Sequence, residues 1–251
     1  MSTHSEKRKG IVITGAGTGI GKSCTELFLK NNYNVAMIGR RKDLLENTAD
    51  KNPHALILRC DVSSLTDILK AFRSIEAEWG RIDVLFNNAG KAISPSTIDE
   101  LDPAHWQEMI NVNLTGSFLC AREAFRIMRA QRPQGGRIIN NGSISAQVPR
   151  PGSVAYTSTK HGITGLTRSL SLDGRPFNIA CGQIDIGNAL TELTEPMAKG
   201  VPQANLSIET EPTMEVSNVA STVLHMAELP LEANIQFMTV LATNMPFIGR
   251  G

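Results

Sequence analysis

Ile11-Val12-Ile13-Thr14 runs without a break into Gly15-Ala16-Gly17-Thr18-Gly19-Ile20-Gly21, and Lys22-Ser23-Cys24 then opens an amphipathic stretch that reaches about residue 31. The first four residues are apolar or β-branched and read as a strand closed by a turn. Glycines let the chain turn tightly and let backbone N–H groups at the start of the next helix face an anion, where the helix dipole favours negative charge. Strand, glycine turn and helix in that order form the arrangement that cradles the pyrophosphate of a dinucleotide.

The same alternation continues outward. Asn34–Gly39, Ala55–Cys60, Val84–Asn87, Gly136–Asn140, Asn178–Cys181 and Ile235–Leu241 read as short, nearly continuous apolar strands, as expected for a sheet covered on both faces. Helical patterns fall at about 20–31, 42–49, 64–79, 103–131, 154–172 and 215–228, with Ser63 or Ser64 placed to cap the third. Strand–helix alternation over the whole length predicts an α/β, single-domain, doubly wound Rossmann fold of about seven mostly parallel strands. Residues 1–9 read as a flexible tail ahead of one domain over 10–251. The stretch 187–214, which begins at Gly187 and contains Pro196, Gly200, Pro202 and Pro212, reads as a lid.

Composition excludes several classes. Of 251 residues, 41% are apolar and 20% charged, which is ordinary for a globular domain. Net charge is +1, from 25 basic and 24 acidic side chains, so neither nucleic acid nor an anionic membrane surface is the expected partner. No stretch approaches 18 consecutive apolar residues, and the polar start MSTHSEKRKG is not a secretory signal. Cys24, Cys60, Cys120 and Cys181 are scattered and form no C-x-x-C pair, which points to reduced thiols, a cytoplasmic location and no metal site.

The turn spacing Thr14-Gly15-x-x-x-Gly19-x-Gly21 departs from G-x-G-x-x-G and resembles the T-G-x-x-x-G-x-G turn of the short-chain dehydrogenase/reductase family, in its subgroup of about 250 residues with the cofactor motif first. The resemblance implies that Gly15, Gly17, Thr18, Gly19, Ile20 and Gly21 bind a nicotinamide nucleotide. An acidic residue at the end of the second strand accepts from a ribose 2′-hydroxyl, whereas an Arg there accommodates a 2′-phosphate. Here Gly39 is followed by Arg40 and Arg41, with Asp43 falling inside the next helical turn. NADP(H) is therefore the favoured cofactor, Arg40 is the better placed of the two arginines, and NAD(H) is the alternative. Cys60-Asp61-Val62 and Asn87-Asn88-Ala89-Gly90 also match family motifs. They imply that Asp61 and Val62 lie by the adenine and that Asn88, Ala89 and Gly90 pass close to the ribose, while Asn87 is at least partly structural.

Tyr156 and Lys160 are four residues apart on a helical pattern and share one face. A free phenol titrates near 10, too high for efficient proton transfer at neutral pH, and a neighbouring cation favours its ionised form. Family resemblance makes Tyr156 the general acid and base and gives Lys160 a second role on the nicotinamide ribose. Ser143, thirteen residues earlier and just beyond the fifth strand, matches the family serine that steadies the substrate oxygen, with Ser145 its rival. Asn113, in Asn111-Val112-Asn113-Leu114, matches the fourth catalytic member, which holds a water linking the lysine to solvent, with Asn111 the alternative register. The family commonly reads Pro-Gly after the sixth strand and a Thr a few positions later. Cys181-Gly182 and Ile186 depart from that pattern, which leaves the backbone of Ile184 as the expected partner of the nicotinamide carboxamide.

The resemblance thus implies hydride transfer between a nicotinamide nucleotide and a small-molecule carbonyl or alcohol. Two other readings stand beside it. One is a 3-oxoacyl-carrier-protein reductase, for which Lys91, Arg150 and Lys199 would meet an acidic carrier. The other is a non-catalytic NADP(H)-binding regulator, against which the Tyr156/Lys160/Ser143 set argues. Leu190, Leu193, Met197, Val201, Leu206 and Met214 in the lid suggest an apolar pocket. The family also implies a homotetramer or homodimer built through the helices near 103–131 and 154–172.

Overall fold

The computed structural model describes residues 8–192, 194 and 200–248. Of the expected tail only Arg8 and Lys9 fall within it, and Leu193 and Met197 lie outside the described residues. The strands are β1 (Gly10–Thr14), β2 (Asn34–Gly39), β3 (Ala55–Arg59), β4 (Val84–Asn87), β5 (Gly136–Asn141), β6 (Ile179–Ile186), a short antiparallel pair β7 (Val201–Pro202) and β8 (Ile208–Glu209), and β9 (Phe237–Val240). The helices are α1 (Gly19–Lys30), α2 (Lys42–Ala49), α3 (Leu65–Trp79), α4 (Pro103–Met109), α5 (Gly116–Ala130), α6 (Val154–Gly174) and α7 (Val216–Glu228).

Seven strands form one parallel sheet in the order β3-β2-β1-β4-β5-β6-β9. Strand order reverses between β1 and β4, the switch point outside which ligands of open α/β sheets bind. Alternation along β1 builds both faces. Ile11 and Ile13 join Phe28, Met37, Phe86 and Val223 under α1 and α7, while Val12 joins Ile38, Phe72 and Leu85 under α3 and α5. Burial on two faces is why these strands read as apolar runs rather than as alternating ones.

Local signals set the ends of two helices plainly. The Ser64 hydroxyl accepts from the Asp67 N–H and starts α3, and Gly80, at φ 71°, ends it in the left-handed conformation. Asp102 caps α4 through the Ala104 N–H, with Pro103 in the first turn.

Two elements differ from the sequence reading. The helix expected over 103–131 is interrupted by a π-helical turn, Ile110–Thr115, that separates α4 from α5 and contains Asn113. The sixth strand does not stop at Cys181 but runs to Ile186. Gly182, Gln183 and Asp185 have the composition of a turn, yet all are buried in the strand: Gly182 and Gln183 pair with β5, and Gln183–Ile186 pair with β9.

Among the described residues no helix is long and apolar enough to cross a membrane. Among the same residues no cluster of His, Cys, Asp or Glu is placed to hold a metal ion.

Phe72, on α3 and far in sequence from the site motifs, is fully buried. Phe72→Ala is expected to cost about 3–5 kcal/mol in urea denaturation, the usual range for a large-to-small change in a packed core.

Candidate active site

The glycine turn between β1 and α1 is shaped by contact. Gly15 and Gly19 have φ of 68° and 50°, which disfavour any side chain. Gly21 is excluded from carrying one by packing, because a Cβ there would stand 2.1 Å from the Gly15 carbonyl oxygen and 2.7 Å from Asn88 Nδ2. Thr14 and Asn88 lock the turn to the end of β4. The Thr14 hydroxyl accepts from the N–H groups of Asn88 and Ala89, each at 2.9 Å, and Asn88 Nδ2 donates to the Thr14 carbonyl at 2.9 Å. Ile20 turns its side chain into the core.

A cavity of about 150 Å³ opens beside this turn. Gly17, Thr18, Arg40, Arg41, Asp61 and Val62 are among its walls, as are Ala89, Gly90 and Lys91. Both arginines are exposed at the mouth between β2 and α2. Burial pushes the Asp61 carboxyl upward, but the hydroxyl and N–H of Ser63 and the nearby Arg40 guanidinium outweigh it and hold the group below its usual range. Asp61 and Arg40 are thus brought to one rim from the ends of two neighbouring strands.

A larger cavity, about 520 Å³, lies beyond the ends of β5 and β6. Ser143, Ser145 and Tyr156 stand on its wall together with Ile186 and Gly187. Lys160 is 7% exposed, one helical turn beyond Tyr156 on α6. Its Nζ donates to the Asn141 carbonyl at 2.8 Å and lies 5.5 Å from the centre of the Tyr156 ring. The Ser143 hydroxyl accepts from the Ser145 N–H at 3.1 Å, and its backbone N–H donates to Asp185 Oδ1 at 3.0 Å.

Asn113 is buried, and its amide is used on the neighbouring loop. Oδ1 accepts from the Lys91 N–H at 2.9 Å and Nδ2 donates to the Lys91 carbonyl at 3.0 Å, with a longer contact to Thr159 Oγ1 at 3.4 Å. It ties the segment after Gly90 to α6. Asn111 bonds instead to Gln107.

Ile184 does not reach the site. It is fully buried within β6, its carbonyl accepts from the Gly142 N–H, and it pairs with Asn141 and Met238. Because β6 ends at Ile186, the segment after it is Gly187-Asn188-Ala189-Leu190-Thr191. Ile186 is therefore the last strand residue, and it lines the larger cavity. Thr191 packs over the glycine turn, with its Cγ2 at 3.2 Å from where a Cβ on Gly19 would be. Cys181 is buried, and desolvation pushes its thiol up to about 12, which makes it inert.

The expected lid divides. Glu192, Thr194, Val201 and Pro202 line the larger cavity, whereas Leu190 and Leu206 are exposed and Met214 packs on the core. A buried polar cluster clasps this segment to the site. The Arg150 guanidinium donates to Glu211 and, at 2.9 Å, to Asn188 Oδ1. Asn188 Nδ2 and Gln203 Nε2 also donate to Glu211, at 2.7 and 3.0 Å. Lys91 pairs with Glu108, so two of the three basic residues considered for an acidic carrier are neutralised at home, and Lys199 lies outside the described residues.

The sequence matches the family model described as short chain dehydrogenase over residues 9–201. A 3beta-hydroxysteroid dehydrogenase from Mediterraneibacter gnavus is 31% identical over 194 residues, 74% of this chain and 68% of that protein. A serine dehydrogenase in a closed form complexed with NADP+ superposes with a TM-score of 0.85 at 26% identity, covering 96% of this chain and 98% of the other. A 3-ketoacyl-(acyl-carrier-protein) reductase from Brucella melitensis complexed with NADH shares the fold, with a TM-score of 0.85 at 23% identity over 96% and 99% of the two chains. With a glycine turn, a strand order and a Tyr156–Lys160 pair that agree with that match, the chain belongs to the short-chain dehydrogenase family.

Proposed function

We propose that this chain is an NADP(H)-dependent oxidoreductase that interconverts a carbonyl and an alcohol, with Tyr156 as the general acid and base. The observation that carries this reading is Lys160, buried and held by the Asn141 carbonyl with its ammonium 5.5 Å from the Tyr156 ring, on a cavity wall shared with Ser143. An amine needed only at the surface would not be fixed there.

The residues present fit a nicotinamide nucleotide. Backbone N–H groups at the start of α1, behind a turn without side chains at Gly15, Gly19 and Gly21, suit a pyrophosphate. Arg40 and Arg41 at the smaller cavity suit a 2′-phosphate, with Asp61 and Val62 beside the base. When bound, such a nucleotide supplies hydride to a carbonyl carbon or accepts it from an alcohol. In reduction Tyr156 gives its phenolic proton to the carbonyl oxygen, and in oxidation it takes the alcohol proton. Lys160, fixed by the Asn141 carbonyl, places its ammonium beside the Tyr156 ring. Ser143 accepts a hydrogen bond from the Ser145 N–H, so its own proton is free to be donated to the substrate oxygen. Ala92, Ile93, Pro95, Leu101 and Ile144 give the larger cavity an apolar wall, which suits a largely apolar ketone or secondary alcohol. Glu192, Thr194, Val201 and Pro202 bound this cavity on the side of the segment after β6, with Arg150 and Glu211 as the clasp.

Tyr156→Phe is expected to lower reductase kcat by about 10²–10⁴-fold, the usual contribution of a positioned acid, while leaving NADPH affinity by fluorescence titration unchanged. Undiminished turnover in a panel of ketones and aldehydes removes the assignment. Arg40→Ala is expected to weaken NADPH binding by about tenfold or more and NADH binding little, since a hydrogen bond to a charged group contributes about 1.5–3 kcal/mol. Equal or tighter binding of NADH by the native protein overturns the cofactor preference. Glu211→Gln leaves a guanidinium that is only 14% exposed without its carboxylate. It is expected to cost roughly 3 kcal/mol of stability and to raise the KM for the carbonyl substrate with little change for the cofactor.

A further inference from the structure

Asp185 is 2% exposed at the penultimate position of β6, directly behind the loop that carries Ser143. Its Oδ1 accepts from the Ser143 backbone N–H at 3.0 Å and from Gln183 Nε2 at 2.7 Å, and its Oδ2 accepts from Gln147 Nε2 at 3.1 Å. Among the described residues no cation pairs with it, so these N–H groups hold the carboxylate in place. A buried carboxylate with no counter-ion is costly unless its hydrogen bonds are well made.

The partners of Asp185 are themselves pinned. Gln183 Nε2 donates also to Thr164 Oγ1 at 3.1 Å, and its Oε1 accepts from Thr167 Oγ1 at 3.1 Å. Thr167 in turn accepts from Asn140 Nδ2 at 2.9 Å, and Asn140 Oδ1 accepts from Asn87 Nδ2 at 2.9 Å. A chain of buried side-chain hydrogen bonds therefore runs from the end of β4 under α6 to the carboxylate. Room for that carboxylate exists because residue 142 is glycine, since a Cβ on Gly142 would stand 2.0 Å from Asp185 Oδ1.

We infer that Asp185 is a positioning residue that sets the Ser143 hydroxyl for the substrate oxygen by anchoring the Ser143 backbone. Two contacts define that serine, Asp185 at its N–H and the Ser145 N–H at its hydroxyl. With the main chain held by the first, the second leaves the hydroxyl proton pointing to the cavity. Gln147, an exposed residue, adds a tie from the loop beyond the short helix at Ile144–Ala146. The inference rests on Ser143 acting on substrate, as proposed above, and names what holds it there.

The test compares the native enzyme with Ser143→Ala, Asp185→Ala, Asp185→Asn and the Ser143→Ala/Asp185→Ala double variant, using a ketone that the native enzyme reduces. Loss of the serine donor is expected to lower kcat by about 10²–10³-fold. Asp185→Ala is expected to lower kcat by up to about 10²-fold through misplacement of that donor, with NADPH affinity unchanged. Asp185→Asn keeps an acceptor for the Ser143 N–H and is expected to recover most of the rate. In the Ser143→Ala background the further change at Asp185 is expected to cost little, because residues that act as a unit are not additive. Full kcat in Asp185→Ala, no recovery in Asp185→Asn, or losses that multiply in the double variant overturn the inference. If Asp185→Ala does not fold, Gly142→Ala carries the same expectation by displacing the carboxylate. Amide hydrogen exchange over 142–146 gives a readout independent of turnover. Faster exchange in Asp185→Ala supports the anchor even if Ser143→Ala is fully active, an outcome that would refute the serine's role instead. Unchanged exchange refutes the anchor whatever the rates are.

Discussion

Helix α1 begins so close to the turn before it that the only side chain Gly21 tolerates is none, and the same closeness puts the first N–H groups of the helix within reach of whatever lies beyond β1. That contact orders the surrounding parts. Asn88 and Thr14 fill the space under the turn and bind the ends of β1 and β4, so the two strands on either side of the switch point are held level. Asn141 then reaches Asn88 from β5, donating to its Oδ1 at 2.9 Å, and offers its carbonyl to Lys160. The anion-binding turn and the proposed proton-transfer pair are linked through three side chains and one carbonyl.

Much of the remaining chemistry is polar groups buried at the carboxyl edge. Asn87, Asn140, Thr167, Gln183 and Asp185 lie where a parallel sheet ordinarily buries apolar residues. Each makes at least one side-chain hydrogen bond, with Asn87 Oδ1 the one acceptor of the set left unpaired, and a connected buried network is rigid because any member that moves leaves another unpaired in a low-dielectric interior. Such rigidity is what a site needs if a hydroxyl and a phenol are to meet one substrate oxygen. Of the four thiols, Cys181 joins the network, its Sγ accepting from Asn140 Nδ2 at 3.7 Å. All are buried, and desolvation raises each of them well above the range in which they react.

The half of the molecule that suits a cofactor was legible in the chain because its signals are local. The turn, Arg40–Arg41, Asp61 and Asn88–Gly90 each sit at a strand end that apolar runs already mark, and β1 to β5 fall where those runs predict. Tyr156 and Lys160 were legible for the same reason, being one turn apart on one helix. What escaped was non-local. The extension of β6 through Gly182, Gln183 and Asp185 is invisible to hydrophobic periodicity, because these residues are buried by bonding to Thr164, Thr167, Gly142's neighbours and β9 rather than by being apolar. A strand that ends at Cys181 leaves Ile184 outside it, whereas the structure buries Ile184 within β6. The π-helical turn at Asn113 left no trace either, since it lies inside an amphipathic pattern that runs on through α5, and the partner of Asn113, the Lys91 backbone, comes from a distant loop.

The side that suits a substrate is assembled from segments far apart in sequence, and the clasp shows what the chain alone does not display. Arg150 and Lys91 looked like a basic rim open to an acidic carrier. Each has its own carboxylate, Glu211 and Glu108, both supplied by segments that only the fold brings near. An apolar pair of similar volume would hold the segment of Glu211 to the loop after β5 about as firmly, because the desolvation of two charges offsets most of their attraction. What the ion pair adds is direction. Glu211 receives Arg150, Asn188 and Gln203 from three different segments, so the loop after β5, the segment after β6 and the β7–β8 pair meet at one carboxylate in one arrangement. A cavity wall fixed in that way has a definite shape before any substrate arrives, so discrimination among apolar ketones follows from the fit of their outlines to that wall.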